Sequence, residues 1–307
     1  MPHGHKPRSG SLQFWPRKRA KNPNIKVKSW VNSTKPGLLG FSGYKAGMTH
    51  IILKDNRSTS LTKGEDICWP VTVIECPPIK IISVRLYKRD AYGLKLKTEI
   101  PTKNKKDINI EDYDEVRVNV ATQPKKTGIG SKKPQIFEIA VGGKDIKQKF
   151  EYAKERLDKE IKITEVFKQG QFIDIHGVTK GKGFQGSVKR FGVSLKAHKS
   201  EKKRRAIGNL GAWTPKRVSF TIGLPGKMGY HLRTEYNKAI VSIGEDPSKI
   251  NVKGGYLNYG ILKNEYALIK GSIPGPRKRL VKFLEPIRGS KNLGNLELKY
   301  ISLESKQ

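Results

Sequence analysis

The sequence predicts a mainly β protein: a closed or nearly closed β-barrel with an α/β insertion, a basic N-terminal arm and a long extension loop rich in Gly, Lys and Arg. Three observations carry that prediction. Short apolar stretches of strand texture, separated by Gly and Pro, recur between residues 40 and 284, the pattern of a sheet that turns often and hides its edges. Between about 87 and 166, helical and strand periodicities mix, and most of the acidic residues gather there. Over 176–233 cations and glycines dominate, while the apolar periodicity of a core is weak.

Taken in order, the arm spans 1–38. Arg8, Arg17, Lys18, Arg19, Lys21, Lys26 and Lys28 crowd its first thirty residues, with Phe14, Trp15 and Trp30 interleaved. Such a segment buries too little apolar surface to fold alone and reads as an extended arm. Aromatics among cations suit stacking on bases. The first part of the barrel is expected in 39–86. There Val71-Thr72-Val73-Ile74 is broken by Pro77-Pro78, and Ile82, Val84 and Leu86 then alternate with Ser83 and Arg85 to give one buried face. In the insertion, 87–166, Val116, Val118 and Val120 mark one strand, and Phe137, Ile139 and Val141 mark another. Ile146, Phe150, Ala153, Leu157 and Ile161 follow at helical spacing. The barrel resumes over 167–177 with a strand at 172–175 and gives way to the extension over 178–237. It closes over 238–307 with strands at 239–243, 266–269 and 280–284. Val218, Phe220 and Ile222 alternate with Ser219 and Thr221 inside the extension and read as one more strand.

The 307 residues carry 62 Lys and Arg against 27 Asp and Glu, a net charge of +35. A compact protein with that charge repels itself, and a polyanionic partner resolves the repulsion. Nucleic acid fits best, because each neutralised phosphate releases a condensed counterion. An anionic membrane is the rival, but no apolar run approaches the roughly 18–20 residues of a membrane span, and no lipidation signal is present. Cys68 and Cys76 are the only cysteines and form no Cys-x-x-Cys pair. That pattern excludes a zinc ribbon and gives no secreted disulfide scaffold. The start lacks the apolar stretch of a signal peptide, so a cytoplasmic location is expected.

The extension concentrates the charge. Between His176 and Arg233, Lys180, Lys182, Lys189, Arg190, Lys196, Lys199, Lys202, Lys203, Arg204, Arg205, Lys216, Arg217, Lys227 and Arg233 stand against one acid, Glu201. A run this long without core-forming residues is out of place inside a compact domain. It fits a loop that leaves the barrel and threads into folded RNA. Glycine lets backbone approach phosphates, Lys and Arg neutralise them, and Arg also pairs in bidentate fashion. Phe184, Phe191 and Trp213 are available to wedge against bases. The plainer alternative is a solvated basic loop with no fixed partner; the glycines, the interleaved aromatics and the whole-chain charge favour RNA.

Several stretches in this order resemble the universal L-three family of large-subunit ribosomal proteins. They are Gly177-Val178-Thr179-Lys180-Gly181-Lys182-Gly183-Phe184-Gln185-Gly186 with Lys189-Arg190, His198-Lys199-Ser200, and Gly208-Asn209-Leu210-Gly211-Ala212-Trp213-Thr214-Pro215. Gly226-Lys227-Met228-Gly229-Tyr230-His231-Leu232-Arg233-Thr234-Glu235-Tyr236-Asn237 continues the pattern. Gly254-Gly255-Tyr256-Leu257-Asn258-Tyr259-Gly260 and Gly271-Ser272-Ile273-Pro274-Gly275-Pro276-Arg277-Lys278-Arg279 extend it towards the C-terminus. Arg8-Ser9-Gly10-Ser11-Leu12, Pro16-Arg17-Lys18-Arg19 and Gly43-Tyr44-Lys45-Ala46-Gly47-Met48-Thr49 agree near the start, so the resemblance spans nearly the whole chain. The arm and insertion are similar to the archaeal and eukaryotic branch. The longer C-terminal extension expected of eukaryotic members is absent, which points to an archaeal type.

The resemblance implies a translation-protein-type β-barrel on the subunit surface and an extension reaching towards the peptidyl transferase centre. It implies a non-enzymatic primary binder of 23S-type rRNA that helps to start subunit assembly, with neighbours of the L-fourteen and L-twenty-four-e families. Carried over by position, Trp213 is the extension tip and the stretch from His231 to Thr234 its returning limb. The family's motifs add Gln185, His198, His231, Arg277, Lys278 and Arg279 to the rRNA-binding residues. Those already read from the sequence are Arg8, Trp15, Arg17, Lys18, Arg19, Lys180, Lys182, Phe184, Lys189, Arg190, Lys199, Lys202, Lys203, Arg204, Arg205, Trp213, Lys216, Arg217, Lys227 and Arg233. One departure is the basic cluster of Lys202-Lys203-Arg204-Arg205, where a histidine familiar from eukaryotic members is missing, so its modification is not carried over.

Other motifs compete. Gly181-Lys182-Gly183-Phe184-Gln185-Gly186 fits the G-x-G-x-x-G dinucleotide fingerprint, but no apolar helix, second strand or ribose-binding acid follows it. Gly208-Asn209-Leu210-Gly211 has the spacing of a KH loop without its flanking helices. His3 and His5 lack a third metal ligand nearby. Glu235, between Arg233 and Asn237, suits an internal ion pair better than acid–base catalysis. No nucleophile–base set emerges, and neither a cofactor, a metal nor a small-molecule substrate is expected. The rival readings are a free-standing basic nucleic-acid-binding module, which would bind unrelated duplexes alike, and a nucleotide-dependent enzyme, which would lose nucleotide binding on Gly183→Ala.

Overall fold

A computed structural model describes residues 11–57, 60–102, 109–200, 203–214, 216–289, 293–294 and 296–304. In chain order the elements are β1 (Gly37–Leu38), β2 (Gly40–Lys54), β3 (Asp66–Glu75), β4 (Ile79–Asp90), β5 (Gly93–Pro101), β6 (Glu115–Ala121) and β7 (Ile136–Gly142). Then come α1 (Ile146–Glu155), β8 (Glu160–Ile161), α2 (Ile163–Val166), β9 (Phe172–Val178), β10 (Gly181–Gln185) and α3 (Ser187–Phe191). The chain ends with β11 (Gly226–Gly229), β12 (Leu232–Gly244), β13 (Tyr266–Lys270), β14 (Leu280–Leu284) and β15 (Glu297–Ile301). The protein is mainly β with few helices. Among the described residues no helix is long and apolar enough to cross a membrane.

The chain divides into two compact units, one of Met1–Lys21 with Thr179–Leu232 and one of Asn22–Val178 with Arg233–Gln307. The larger unit holds two sheets. The first runs β14-β9-β12-β13-β3-β2-β15, and β14 also pairs with β2. β2 is 15 residues long, and its two halves serve different partners along one edge. Gly40 to Tyr44 pair with β14, and Ile51 to Lys54 with β15. The opposite edge of β2 lies along β3 in close approach. A Cβ at Gly43 would sit 2.6 Å from Ile74 Cγ2 and 2.9 Å from Cys76 Sγ, so only glycine lets these two strands meet there.

The second sheet runs β1-β7-β6-β4-β5, with β8 on β4, and α1 packs on it. Ile81, Val84, Leu86, Val116, Val118 and Val120 from this sheet share one continuous core with Phe41, Ile51, Val73, Ile175, Leu268 and Phe283 of the first. Each such side chain contributes about 1.5–3 kcal/mol by leaving water, and the alternation read from the sequence puts them there.

Three expectations change. β4 belongs wholly to the second sheet, so Ile79 to Leu86, which the sequence reading placed with the first part of the barrel, pair with β5, β6 and β8 instead. The helix expected to reach Ile161 stops at Glu155; Asp158 takes a left-handed φ of 67°, and the turn delivers Ile161 to pair with Ile79. Val218 to Ile222 forms no strand. The Ile222 N–H donates instead to the Ser219 carbonyl at 3.1 Å in a turn, and Val218 and Phe220 stay exposed. Alternation makes a strand only where an edge offers backbone partners.

Candidate nucleic-acid interface

The smaller unit has almost no apolar core. Among its described residues only Ser187, Gly229 and His231 are buried. Backbone geometry holds it instead. β10 and β11 pair antiparallel with Gly181 opposite Gly229, Phe184 opposite Lys227 and Gln185 opposite Gly226. Gly229 has φ 76°, and a Cβ there would lie 2.0 Å from the Lys180 carbonyl oxygen, which closes the position to every other residue type. The Tyr230 N–H donates to that same carbonyl at 3.1 Å. This antiparallel pairing, with only the five-residue α3 directly after β10, rules out the dinucleotide fold that the G-x-G-x-x-G spacing mimics.

The arm is stitched to this hairpin. The Ala20 N–H donates to the Tyr230 carbonyl at 2.8 Å. His231, 7% exposed, accepts from the Gly229 N–H at Nε2 (3.1 Å), so its Nδ1 carries the proton and donates to the Lys18 carbonyl at 2.8 Å. Further along the arm, the Trp15 ring stacks on Phe191 with centroids 4.7 Å apart. The Arg17 guanidinium lies 4.4 Å from the Phe191 centroid and donates to the Arg190 carbonyl. Arg190 answers with bonds to the carbonyls of Arg17 (3.3 Å), Lys227 (3.1 Å) and Leu224 (2.9 Å). Burial and the neighbouring Arg17 hold Arg190 below the usual guanidinium range.

The residues expected on RNA thus separate. Trp15, Arg17, Arg190 and His231 are engaged inside the unit and set its shape. Trp30 lies in the larger unit, partly buried against the core rather than displayed for stacking. Lys18, Arg19, Lys180, Lys182, Lys189, His198, Lys199, Lys203, Arg204, Arg205, Lys216, Arg217 and Lys227 are exposed. So are Phe184 and Trp213, at 72% and 82%. Gln185 is half-buried and donates to the Lys182 carbonyl at 2.7 Å. Arg233, Arg277, Lys278 and Arg279 belong to the larger unit, where the Lys278 N–H and the Arg279 carbonyl bracket Lys45 at 2.8 and 3.1 Å. Arg8 and Lys202 lie outside the described residues. Glu235 pairs with Lys238 at 2.8 Å.

Charge completes the picture. The smaller unit carries 19 Lys and Arg against the single acid Glu201. A cleft of about 440 Å³ opens between arm and hairpin. Its lining brings in Lys21 and Tyr230, which sequence reasoning missed; the one signal for Tyr230 was its place after a glycine in a family motif. Among the described residues no three His, Cys, Asp or Glu side chains group as a metal site.

A family profile described as Ribosomal protein L3 matches residues 1–108 and 104–307. The large ribosomal subunit protein uL3 of Methanothermobacter thermautotrophicus is 43% identical, covering 100% of this chain and 99% of its own. The uL3 proteins of Archaeoglobus fulgidus (43%) and Methanococcus aeolicus (45%) each cover 99% of this chain and 98% of their own. With both sheets, the glycine-built hairpin and the full length accounted for, the chain belongs to the ribosomal protein L3 family, in its archaeal form.

Proposed function

We propose that this chain is a non-enzymatic structural constituent of the large ribosomal subunit that binds large-subunit rRNA chiefly through its smaller unit. One observation carries the proposal: 19 cations against one acid on a scaffold with no buried apolar side chain among its described residues, displaying Phe184 and Trp213. Such a surface gains most from polyanionic phosphate and from bases that stack. The family resemblance adds finer points. The protein binds rRNA early and helps to start assembly. Residues 178–237 reach towards the peptidyl transferase centre with Trp213 at the tip, and members of the L-fourteen and L-twenty-four-e families lie alongside. The circuit of pairings through β2, β3, β13, β12, β9 and β14 is read as the closed translation-protein-type barrel, with residues 1–38 as the arm.

Sedimentation of native extract through a high-salt sucrose gradient, with immunodetection, tests the reading. Co-migration with large subunits that resists the salt wash is expected. Recovery near the top of the gradient would mean a free basic nucleic-acid-binding factor instead.

A further inference from the structure

The cleft between the arm and the β10–β11 hairpin has features that general phosphate binding does not need. Its volume of about 440 Å³ falls within the range of small-ligand pockets, roughly 300–1,000 Å³. Arg19, Lys21 and Lys227 line it and are exposed, and no side-chain hydrogen bond or ion pair joins their charged groups to other described residues. Phe184 lines it too, with 72% of its surface open. No carboxylate is in the lining. The walls are set before any ligand arrives, because His231 ties the Lys18 carbonyl of the arm to the Gly229 N–H of the hairpin. A pre-formed site loses little entropy on binding.

We propose that this cleft receives one unpaired RNA nucleotide, its base against the Phe184 ring and its phosphate among Arg19, Lys21 and Lys227. The inference rests on the rRNA-binding reading and adds the class of RNA feature recognised. Phosphate alone would leave the aromatic wall exposed. A continuous duplex keeps its bases stacked inside the helix, whereas a bulged or looped nucleotide can swing out to be stacked by protein. The three cations then neutralise the backbone on either side of the displaced base.

The test uses the full chain near physiological salt, with a single-stranded octamer of 5-iodouridine and a blunt duplex of the same base composition per strand plus its complement. Photo-crosslinked peptides are mapped by mass spectrometry, and affinities are measured for both RNAs. The expected adduct is on Phe184 or Tyr230 with the octamer and not with the duplex. Phe184→Ala should weaken octamer binding about 5- to 150-fold and leave duplex binding within about twofold, while Phe184→Tyr retains octamer affinity. Because the Phe184 ring is so exposed, these variants leave the scaffold intact. Binding of both RNAs with adducts only elsewhere, such as Trp213, would overturn the cleft assignment and leave the RNA reading standing. Equal losses on octamer and duplex would do the same. Failure to bind either RNA would overturn both.

Discussion

The two units of this chain solve the problem of charge in opposite ways. The larger unit carries 43 Lys and Arg against 26 Asp and Glu and arranges many of them in pairs over a packed core. Arg85 sits between Glu99, at 3.0 Å, and Glu138. Arg117 meets Glu115 at 2.7 Å, and Lys126 meets Glu160 at 2.7 Å. Burial pushes Glu138 up, but hydrogen bonds from Tyr87 and Arg85 outweigh it and hold the carboxyl below its ordinary range. The smaller unit has no buried apolar side chain among its described residues and a single carboxylate, Glu201, with which to do this. It folds on backbone hydrogen bonds, one histidine bridge and a stack of Trp15, Arg17 and Phe191, and leaves its cations to be answered from outside. One region answers its own charge; the other leaves it open, as the proposed RNA contact requires.

The largest effect expected from that contrast is on salt dependence. With about ten phosphates engaged, the logarithm of RNA affinity should fall against log salt with a slope of roughly −7 to −9. Changing Lys182, Lys189, Arg204 and Lys227 together to Gln should flatten the slope by up to about 4. The same change at the paired Lys95, Lys126, Lys147 and Lys299 should leave it nearly unaltered. Equal flattening by both sets would break the comparison.

Truncating aromatics sharpens it from the side of stability. Phe283→Ala, in the fully buried core of the first sheet, should cost about 3–5 kcal/mol in denaturant unfolding. Trp213→Ala should change unfolding by less than about 0.5 kcal/mol while altering chemical reactivity of the rRNA in mutant subunits. An unchanged reactivity pattern would count against a role for the Trp213 ring.

A smaller effect concerns a cation that the larger unit buries. Lys282 is 3% exposed on β14, with its ammonium on the Ile25 carbonyl and 3.8 Å from the Phe137 centroid. Burial pulls its pKa down to about 7, against some opposing pull from Glu138. In the unfolded chain lysine titrates near 10.4. Above pH 7 the unfolded state therefore holds a proton that the folded state has lost, so this group adds stability as pH rises towards its unfolded value and is level below pH 7. The difference between wild type and Lys282→Met should shift by on the order of 3 kcal/mol between pH 7 and about pH 9.5. A pH-independent difference would place a stable charge at that site.

Most strands were legible, because β-branched residues alternating with polar ones have few other uses. The stretches at 71–74, 116–120, 137–141, 172–175, 239–243, 266–269 and 280–284 all lie within observed strands. Partners were not legible, and that explains the misreadings. Val218 to Ile222 alternates without an edge to join. Ile161 keeps helical phase with Phe150 yet leaves the helix to pair with Ile79. Within the candidate site, composition marks out the region but cannot sort its residues by role. His231 and Lys18 meet across 213 positions, as Arg17 and Arg190 do across 173. No local pattern announces that such residues face each other rather than RNA.

The histidine bridge also sets an order in time. Lys18 and Ala20 are synthesised long before Tyr230 and His231, the groups that receive them. At about 5–20 residues per second the interval is on the order of 10–40 s. Throughout it the arm, with Arg17, Lys18, Arg19 and Lys21, trails from the nascent chain with nothing of its own to close on. The smaller unit cannot assemble vectorially from its N-terminus; it waits for the last strand of its hairpin, and its folding is necessarily a late event in the making of the protein.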